Sequence, residues 1–293
     1  MFTMSEYGRI NDEFTRLQNE RKSTLKKVWG TILLLVIGII VLFIALFPNQ
    51  FSYGETAWIL PTYGGMGLVV ALIGFLVSMS FMSEKPFMEY LYDQVINKIN
   101  MDEGLFLDYK AYDKEVEKFN KTGGLFTKYA SVKVRRHIKG ATEEHHSFNI
   151  YDCTMTTSNG KNQQTHFDGM YFVLNKRISS TLQVRANGSP KLKGVKFKRF
   201  PEFEHMKVYK EEGHEITNLD QQFLGYAERL SQRIEYKRVY LAIVDGEIHL
   251  ALWYRKHPTR KHKGISMEML NKAYEHFLGE YKMIGELANI GNY

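Results

Sequence analysis

The segment Arg238–Tyr254 reads RVYLAIVDGEIHLALWY and predicts a β-hairpin. Its centre is Asp245-Gly246, a dipeptide that suits a two-residue turn because both residues tolerate positive φ. Such a turn fixes the register and pairs apolar residues on one face: Ile243 with Ile248, Leu241 with Leu250, and Val239 with Leu252. The other face pairs Ala242 with His249 and Tyr240 with Ala251. A slip of one residue would separate these partners, so the sequence specifies the register strongly.

Helical periodicity flanks this hairpin on both sides. Before it, Thr217 and Asp220 have the spacing of a capping box, and apolar residues follow on one helix face: Leu219, Phe223, Ala227, Leu230 and Ile234. After it, a helix from Ser266 towards Ile290 carries a short heptad seam: Met267, Leu270, Tyr274, Phe277, Tyr281 and Ile284. We predict that this last helix packs on the sheet, and a dimeric coiled coil is the alternative.

From Ser131 onwards the apolar period changes to two, which predicts further strands. In the stretch 131–139, one face collects Ser131, Lys133, Arg135, His137 and Lys139, and the other collects Val132, Val134, Arg136 and Ile138. This pattern predicts a half-buried strand with a basic outer face.

A second hairpin is predicted from about Phe148 to Asn175 around an Asn159-Gly160 turn. Within it, Met170–Leu174 is apolar on both faces, which predicts a central strand that is covered twice. Further strands are predicted at Leu182–Arg185 and Glu204–Tyr209.

Three more helices are predicted nearer the N-terminus. The first carries Ile10, Phe14 and Leu17 on one face, the second begins at Pro86 with Phe87, Leu91, Val95 and Ile99, and a weaker one covers Asp108–Asn120. The order of these elements predicts an α+β domain of mainly antiparallel sheet with flanking helices.

Two uncharged, apolar runs predict a transmembrane helical hairpin ahead of this domain. Val28–Phe47 is long enough to cross a bilayer, since about 20 helical residues cross a hydrocarbon core of about 30 Å. The second run extends from about Ala57 to Met82, with its dense part from Gly64 to Met82, and predicts a span at about 61–82. We therefore predict a cytoplasmic N-terminal helix over residues 1–27, two spans within residues 28–82, and a cytoplasmic domain over residues 83–293.

The Lys and Arg flanks predict the orientation of these spans. Six basic residues precede the first span, whereas the loop between the spans contains none and Lys85 follows the second. Both termini are therefore predicted to be cytoplasmic at the cell membrane. The single Cys153 agrees with a reducing compartment, because disulfide frameworks require pairs.

Small residues line one face of the second predicted span: Gly67, Ala71, Gly74 and Ser78. Such residues let helix backbones approach closely in lipid. We interpret the stripe as packing against the first span, and an interface between copies of the chain is the alternative.

No motif in the sequence predicts a catalytic residue, a cofactor or a metal ion. Glu143-Glu144-His145-His146 is the densest cluster of ligand types, yet neighbours in an extended segment point to opposite faces and cannot easily converge on one ion. Asp168 beside Gly169 is interpreted as the cap of a β-bulge, with a buried acid as the alternative.

Basic residues are concentrated in positions suited to an anionic surface. Of the 39 Lys and Arg and 32 Asp and Glu, 33 and 27 follow the spans, which gives the cytoplasmic part about +6. The candidate contacts are Lys133, Arg135, Lys139, Lys196, Lys198, Arg199, Arg260, Lys261 and Lys263. Ordinary solvated loops are the favoured interpretation of these clusters, contact with anionic lipid headgroups is the alternative, and no nucleic-acid-binding signature accompanies the charge.

Two stretches carry a family resemblance: Thr165–Phe172 reads THFDGMYF, and Phe203–Tyr209 reads FEHMKVY. With Ala227-Glu228-Arg229-Leu230 and the hairpin, they resemble an uncharacterised bacterial two-span membrane family, domain of unknown function 3137. The resemblance implies the architecture above over roughly Asp108–Tyr254, and that family carries no established activity. Glu211–Glu215 departs from its pattern.

The function that the sequence favours is an interaction or scaffold protein at the inner membrane face. Its predicted partners are the lipid bilayer and either another protein or a second copy of the chain. The alternative is a membrane-tethered enzyme that acts on an anionic or membrane-derived substrate and assembles its site from residues distant in sequence.

Overall fold

The computed structural model describes residues 1–46, 85–110, 115–158, 162–190, 192–200, 206–256 and 265–292. Contacts divide the chain into two units. One consists of Met1, Tyr92–Gly264 and Glu268–Tyr293, and the other of Phe2–Leu91 and Ile265–Met267.

The smaller unit is dominated by helix α1, which extends over Met4–Leu46 without a break. The predicted N-terminal helix and the first predicted span therefore belong to one helix as far as Leu46. Arg16 bridges Glu13 and Glu20 on its surface, and Ile10 is buried. Further along, large apolar side chains are exposed: Trp29, Leu33, Leu34 and Ile37.

The membrane hairpin itself is not shown. Among the described residues, no helix combines the length and the apolarity that a bilayer crossing needs. The second predicted span and its stripe of Gly67, Ala71, Gly74 and Ser78 lie outside the described residues.

The larger unit is an α+β fold around a nine-stranded antiparallel sheet. Its strands are β1 (Asp108–Lys110), β2 (Ser131–Ala141), β3 (Ser147–Ser158), β4 (Gln163–Asn175), β5 (Leu182–Arg185), β6 (Phe197–Phe200), β7 (Lys207–Glu211), β8 (Tyr236–Val244) and β9 (Glu247–Tyr254). Their order across the sheet is β1-β2-β3-β4-β9-β8-β5-β7-β6, so β6 lies at one edge. The predicted class of mainly antiparallel sheet with flanking helices is confirmed.

Helices flank both faces of this sheet. They are α2 (Lys85–Glu103), α3 (Glu115–Gly123), α4 (Asn218–Ser231) and α5 (Met267–Asn289). Val116 of α3 packs with Tyr151, Tyr171 and Ala251 in one core cluster, which defines the first face. The second face contacts α5, whose Tyr281 ring lies 6.0 Å from that of Phe148, and α4, whose Asp220 pairs with Lys210.

The hairpin register predicted from the sequence is confirmed throughout. Val239 lies opposite Leu252, Leu241 opposite Leu250 and Ile243 opposite Ile248. On the other face of the hairpin, Tyr240 lies opposite Ala251 and Ala242 lies opposite His249. Asp245 and Gly246 adopt φ of 52° and 79°, as the predicted two-residue turn requires.

Several other predictions from the sequence are also confirmed. Strand β5 has the predicted bounds, and Met170–Leu174 is buried on both faces between β3 and β9. Thr217 and Asp220 form the capping box at the start of α4. The heptad seam of α5 is largely buried within this unit, as expected for a helix that packs on the sheet. The Asn159-Gly160 turn lies outside the described residues.

The prediction that β2 has a basic outer face is wrong, because a β-bulge interrupts the alternation of its side chains. Val134 lies opposite Cys153 and Arg136 opposite Asp152, so Arg135 is the extra residue. Each residue after Arg135 therefore points to the opposite face from the one that its position in the sequence predicts. His137 becomes buried and stacks on Tyr151, with ring centroids 4.3 Å apart.

Three boundaries also differ from the prediction. The predicted helix at Asp108–Asn120 is replaced by strand β1 and, from Glu115, by helix α3, which Gly123 ends. Helix α4 ends at Ser231, which leaves Ile234 85% exposed rather than on the apolar face. Strand β6 was not predicted, since two of its four residues are basic and the other two do not alternate. Strand β7 begins at Lys207, and the start of the predicted strand lies outside the described residues.

Candidate functional site

The nine predicted basic contacts do not form one surface. Lys133 is exposed on β2, whereas Lys139 lies beyond the bulge on the opposite face, 3.3 Å from the Asp108 carboxylate. Arg135 is engaged inside the fold. Arg260, Lys261 and Lys263 lie outside the described residues. Lys196, Lys198 and Arg199 lie together at the β6 edge of the sheet.

Arg135 is held by a cluster of acceptors that the β2 bulge brings within reach. Its Nε donates to the Asp152 carboxylate at 2.8 Å, and its Nη1 lies 2.9 Å from Asp168. Thr154 Oγ1 donates to the same Asp168 carboxylate at 3.0 Å. Burial alone would lower the pKa of Arg135, but Asp152 and then Asp168 outweigh burial and raise it. The guanidinium is therefore part of the internal structure rather than a free cation.

Asp168 thus has a role that neither of its two interpretations described in full. The β-bulge in this hairpin makes His166 the extra residue, two positions before Asp168, whereas Asp168 itself lies opposite Thr154 and is an ion-pair partner near the surface. Gly169 has a separate function: a Cβ there would lie 2.0 Å from the Leu252 carbonyl oxygen. Only glycine allows the backbones of β4 and β9 to approach so closely.

The neighbouring Arg136 forms a fully buried ion pair with Glu280 of α5. Arg136 Nη2 lies 2.6 Å from Glu280 Oε1, and His276 Nε2 lies 2.9 Å from the same oxygen. The guanidinium also lies 3.9 Å from the centroid of the Phe277 ring, in cation–π geometry. Burial alone would raise the pKa of Glu280, but Arg136 and then His276 outweigh it, and the pKa is lowered.

This pair was missed at the level of sequence, although a signal was present. Arg136 falls on the apolar side of the alternation in β2, and Glu280 lies among the apolar residues of the α5 seam. A charge in each of two apolar patterns is the signature of a buried pair. The pair docks α5 on the sheet, because it joins β2 to α5 inside the core. Arg136 Nη1 and Glu280 Oε2 have no hydrogen-bond partner among the described residues.

The basic residues at the β6 edge have a different environment. Strand β6 pairs only with β7, and Lys198 lies opposite Lys210 while Arg199 lies opposite Tyr209. The side chains of Lys198 and Arg199 therefore leave opposite faces of the edge strand, and both are exposed. Lys193 and Lys196 are exposed in the segment just before the strand. We name Lys193, Lys196, Lys198 and Arg199 the basic edge.

The charges of the basic edge are not neutralised within the described part of the chain. None of its four residues forms an ion pair with a described acidic residue. Phe200 lies beside them, and Lys198 Nζ is 5.8 Å from the centroid of its ring. Four cations at a sheet edge form a surface that attracts anions and also discourages pairing with another strand.

The residues considered as metal ligands lie in a turn. Glu143 to His146 connect β2 to β3, and His145 adopts φ of 62° there. His146 Nε2 lies 3.5 Å from the Glu144 carboxylate. Within the described ranges, no group of three or more His, Cys, Asp and Glu side chains is placed to hold a metal ion. Cys153 is buried in the sheet, and burial raises the pKa of its thiol far above the usual range.

Comparison with known proteins adds little to this description. No family model and no curated protein matches the chain. Among solved structures, the crystal structure of the mycobacterial trehalose monomycolate transport factor A, TtfA, is similar with a TM-score of 0.34 and 8% sequence identity. The match covers 68% of this chain and 95% of that chain. A similarity at this level carries no argument about fold or function.

Proposed function

We propose that this chain is a membrane-anchored interaction protein whose α+β domain docks on anionic lipid at the inner membrane face. The observation that carries the proposal is the basic edge, where four exposed cations have no acidic partner among the described residues. The proposed anchor is the transmembrane hairpin, with both termini cytoplasmic. The resemblance to the two-span bacterial family supports the same arrangement.

The anchor is supported by the two apolar runs and by helix α1. The run Val28–Phe47 contains no charged residue, and three of the exposed side chains on α1, Leu33, Leu34 and Ile37, fall within it. Apolar side chains at these exposures are costly in water, whereas a bilayer accommodates them. Trp29 lies at the start of the run, where amphipathic rings favour a membrane interface.

The anchor makes weak electrostatic docking effective. Each Lys or Arg held near an anionic leaflet contributes about 1 kcal/mol. The basic edge would therefore contribute about 4 kcal/mol at most, and tethering removes most of the entropy cost of association. The contribution should fall as salt is added, because about 8 Å is the screening length at physiological ionic strength.

The chain's single buried cysteine allows a direct test. Cys153 reacts poorly because its thiol is buried, so a Lys196→Cys variant can carry one fluorophore at the basic edge. The full-length protein is placed in nanodiscs that contain lipids with a nitroxide on the headgroup. We expect stronger quenching when the other lipid is phosphatidylglycerol than when it is phosphatidylcholine, and we expect high salt to remove the difference.

A matched control carries the label at a residue outside the basic edge. Lys282 is exposed on α5, and a fluorophore at Lys282→Cys should show a smaller response to lipid charge. Adding Lys198→Glu and Arg199→Glu to the Lys196→Cys variant should lower its quenching in anionic discs. Equal quenching in both lipids, or an unchanged signal after the charge reversal, would exclude docking through the basic edge.

A further inference from the structure

A cavity of about 420 Å³ opens where four segments of the larger unit converge. Its lining comes from the loop before β5, the end of β7, the N-terminus of α4 and the β8–β9 turn. The residues are Ile178, Ser179, Ser180, Thr181, Lys210, Glu211, His214, Glu215, Thr217 and Asp245. This volume lies within the range of about 300–1,000 Å³ that is usual for small-molecule sites. The basic edge contributes no residue to it.

One residue of the lining, Lys210, forms a buried ion pair with Asp220, which is not itself part of the lining. The Asp220 carboxylate accepts from Lys210 Nζ, from Ser180 Oγ at 2.6 Å and from both the backbone N and Oγ1 of Thr217 at 2.8 Å. Burial alone would raise the pKa of Asp220, but these donors, with Lys210 first, outweigh it and lower the pKa. Asp220 is thus ionised, and its carboxylate accepts hydrogen bonds from all of these donors. It also caps α4.

The hydrogen-bonding capacity of the Lys210 ammonium is only partly used. Its side chain is 4% exposed and its ammonium can donate three hydrogen bonds, but Asp220 is its sole acceptor among the described residues. A buried ammonium with unused donors that lines a cavity requires oxygen acceptors from whatever fills the cavity. Hydroxyl groups of a ligand meet this need.

The charge of the cavity excludes an anionic ligand. Glu211, Glu215 and Asp245 line it, and none of the three forms an ion pair with a described basic residue. The lining therefore holds three carboxylates and the single ammonium of Lys210, whose charge Asp220 already balances. A ligand carboxylate or phosphate would be repelled, whereas a ligand ammonium would be attracted.

We propose that this cavity binds a small organic cation that also carries hydroxyl groups, of the amino-sugar class. The ligand ammonium lies towards Glu215 and Asp245, and its hydroxyl oxygens accept from Lys210 and meet the hydroxyls of Ser179 and Thr181. This binding is a further activity, separate from lipid docking through the basic edge.

The test compares two sugars that differ in charge. Full-length protein in a nonionic detergent is titrated with glucosamine and with N-acetylglucosamine, and binding is followed by calorimetry and saturation-transfer NMR. The buffer is phosphate, because Tris is itself an amino alcohol. We expect saturable binding of glucosamine and at least about tenfold weaker binding of N-acetylglucosamine, whose nitrogen carries no charge.

Matched variants locate the site. Glu215→Gln with Asp245→Asn removes two exposed carboxylates and should weaken glucosamine binding by about tenfold. Glu212→Gln removes an equally exposed carboxylate next to the cavity and should leave binding unchanged. Equal binding of the two sugars, binding of neither, or equal weakening by Glu212→Gln would overturn the proposal. Because all three substitutions are at exposed positions, the fold should persist, and circular dichroism checks it.

Discussion

The β8–β9 hairpin and strand β2 were both predicted from the sequence as strands, yet they are organised differently. The hairpin keeps one register from Val244 back to Arg238, and its inner positions are apolar on both faces apart from the buried His249. Strand β2 changes register at Arg135 and buries two charged or polar residues, Arg136 and His137. The hairpin is therefore held by local pairing and apolar burial, and β2 by ion pairs to residues distant in sequence.

This difference shows what alternation can and cannot predict. A two-residue turn fixes the partners of both hairpin strands, so the register follows from local chemistry. The bulge in β2 is fixed by Asp152 and Asp168, which come from β3 and β4 and hold the extra Arg135. A regular pattern therefore predicts a strand, but its faces depend on the charges that the rest of the fold supplies.

The largest expected effect comes from breaking the buried pair beside β2. Glu280→Leu should lower the free energy of unfolding by about 3–5 kcal/mol, because Arg136 would keep a buried charge without a counterion. Chemical denaturation of the full-length protein in detergent measures the loss. The double variant Arg136→Met with Glu280→Leu should recover most of it, since an apolar pair of similar volume replaces the ions. If the double variant were no more stable than Glu280→Leu, the loss of stability would not come from the unpaired charge of Arg136.

The hairpin should be most sensitive at the position where its backbone approaches β4. Gly169→Ala places a Cβ against the Leu252 carbonyl oxygen, so the two strands must separate, with a loss of about 3 kcal/mol. Gly225→Ala is the matched control within α4, where the nearest atom is the end of the Arg229 side chain at 4.0 Å. It should stabilise the protein by about 0.5–1 kcal/mol. Equal effects of the two substitutions would contradict the close approach.

Acidic pH should destabilise the region of β2 and α5 more than the β8–β9 hairpin. The pKa of Glu280 is lowered below 4.5 in the folded state, so its stabilisation is present above pH 4.5 and is lost as the pH falls through the folded value. Glu280→Gln should therefore cost about 1.5–3 kcal/mol at neutral pH, and less as the pH falls below 4.5. Unfolding curves across pH measure this convergence, and a difference that does not change with pH would exclude the ionised carboxylate.

Hydrogen exchange can measure this effect of pH separately for each region. As the pH falls, amides of β2 and α5 should lose protection before those of β8 and β9, because the two acids of the hairpin are Asp245, which is exposed, and Glu247, whose side chain is only partly buried. The matched reference is the Glu280→Gln variant, in which the order of opening should not depend on pH. Loss of protection in the hairpin first would contradict the contrast drawn between the two regions.

Much of the fold could be predicted from the sequence, and the reason is local. The capping box of Thr217 and Asp220, the buried run Met170–Leu174 and the Asp245-Gly246 turn each depend on residues close in sequence. The bulge at Arg135 and the approach at Gly169 depend on distant strands. For that reason neither was visible in the pattern of the single strand that contains it.

The candidate sites could be predicted less well for the same reason. The basic edge was identified residue by residue at Lys196, Lys198 and Arg199, because dense charge is visible in sequence. Its organisation as strand β6 was missed, since Phe197 and Phe200 are three positions apart and give no apolar pattern of period two. The cavity at Lys210 was not anticipated, because its lining comes from four segments that only the sheet order brings together.

The smallest expected effect tests the hairpin turn alone. Gly246 has φ of 79°, and the left-handed region costs a residue with a Cβ about 1–2 kcal/mol, so Gly246→Ala should lower stability by about 1 kcal/mol. Asp245→Asn keeps a residue that tolerates its φ of 52° and should change stability by less than about 0.5 kcal/mol. The comparison isolates backbone geometry, because space at Gly246 is sufficient, with the nearest atom 3.8 Å from an added Cβ. If both variants were equally stable to denaturant, the turn would not be what holds the register, and the apolar cross-strand pairs alone would account for it.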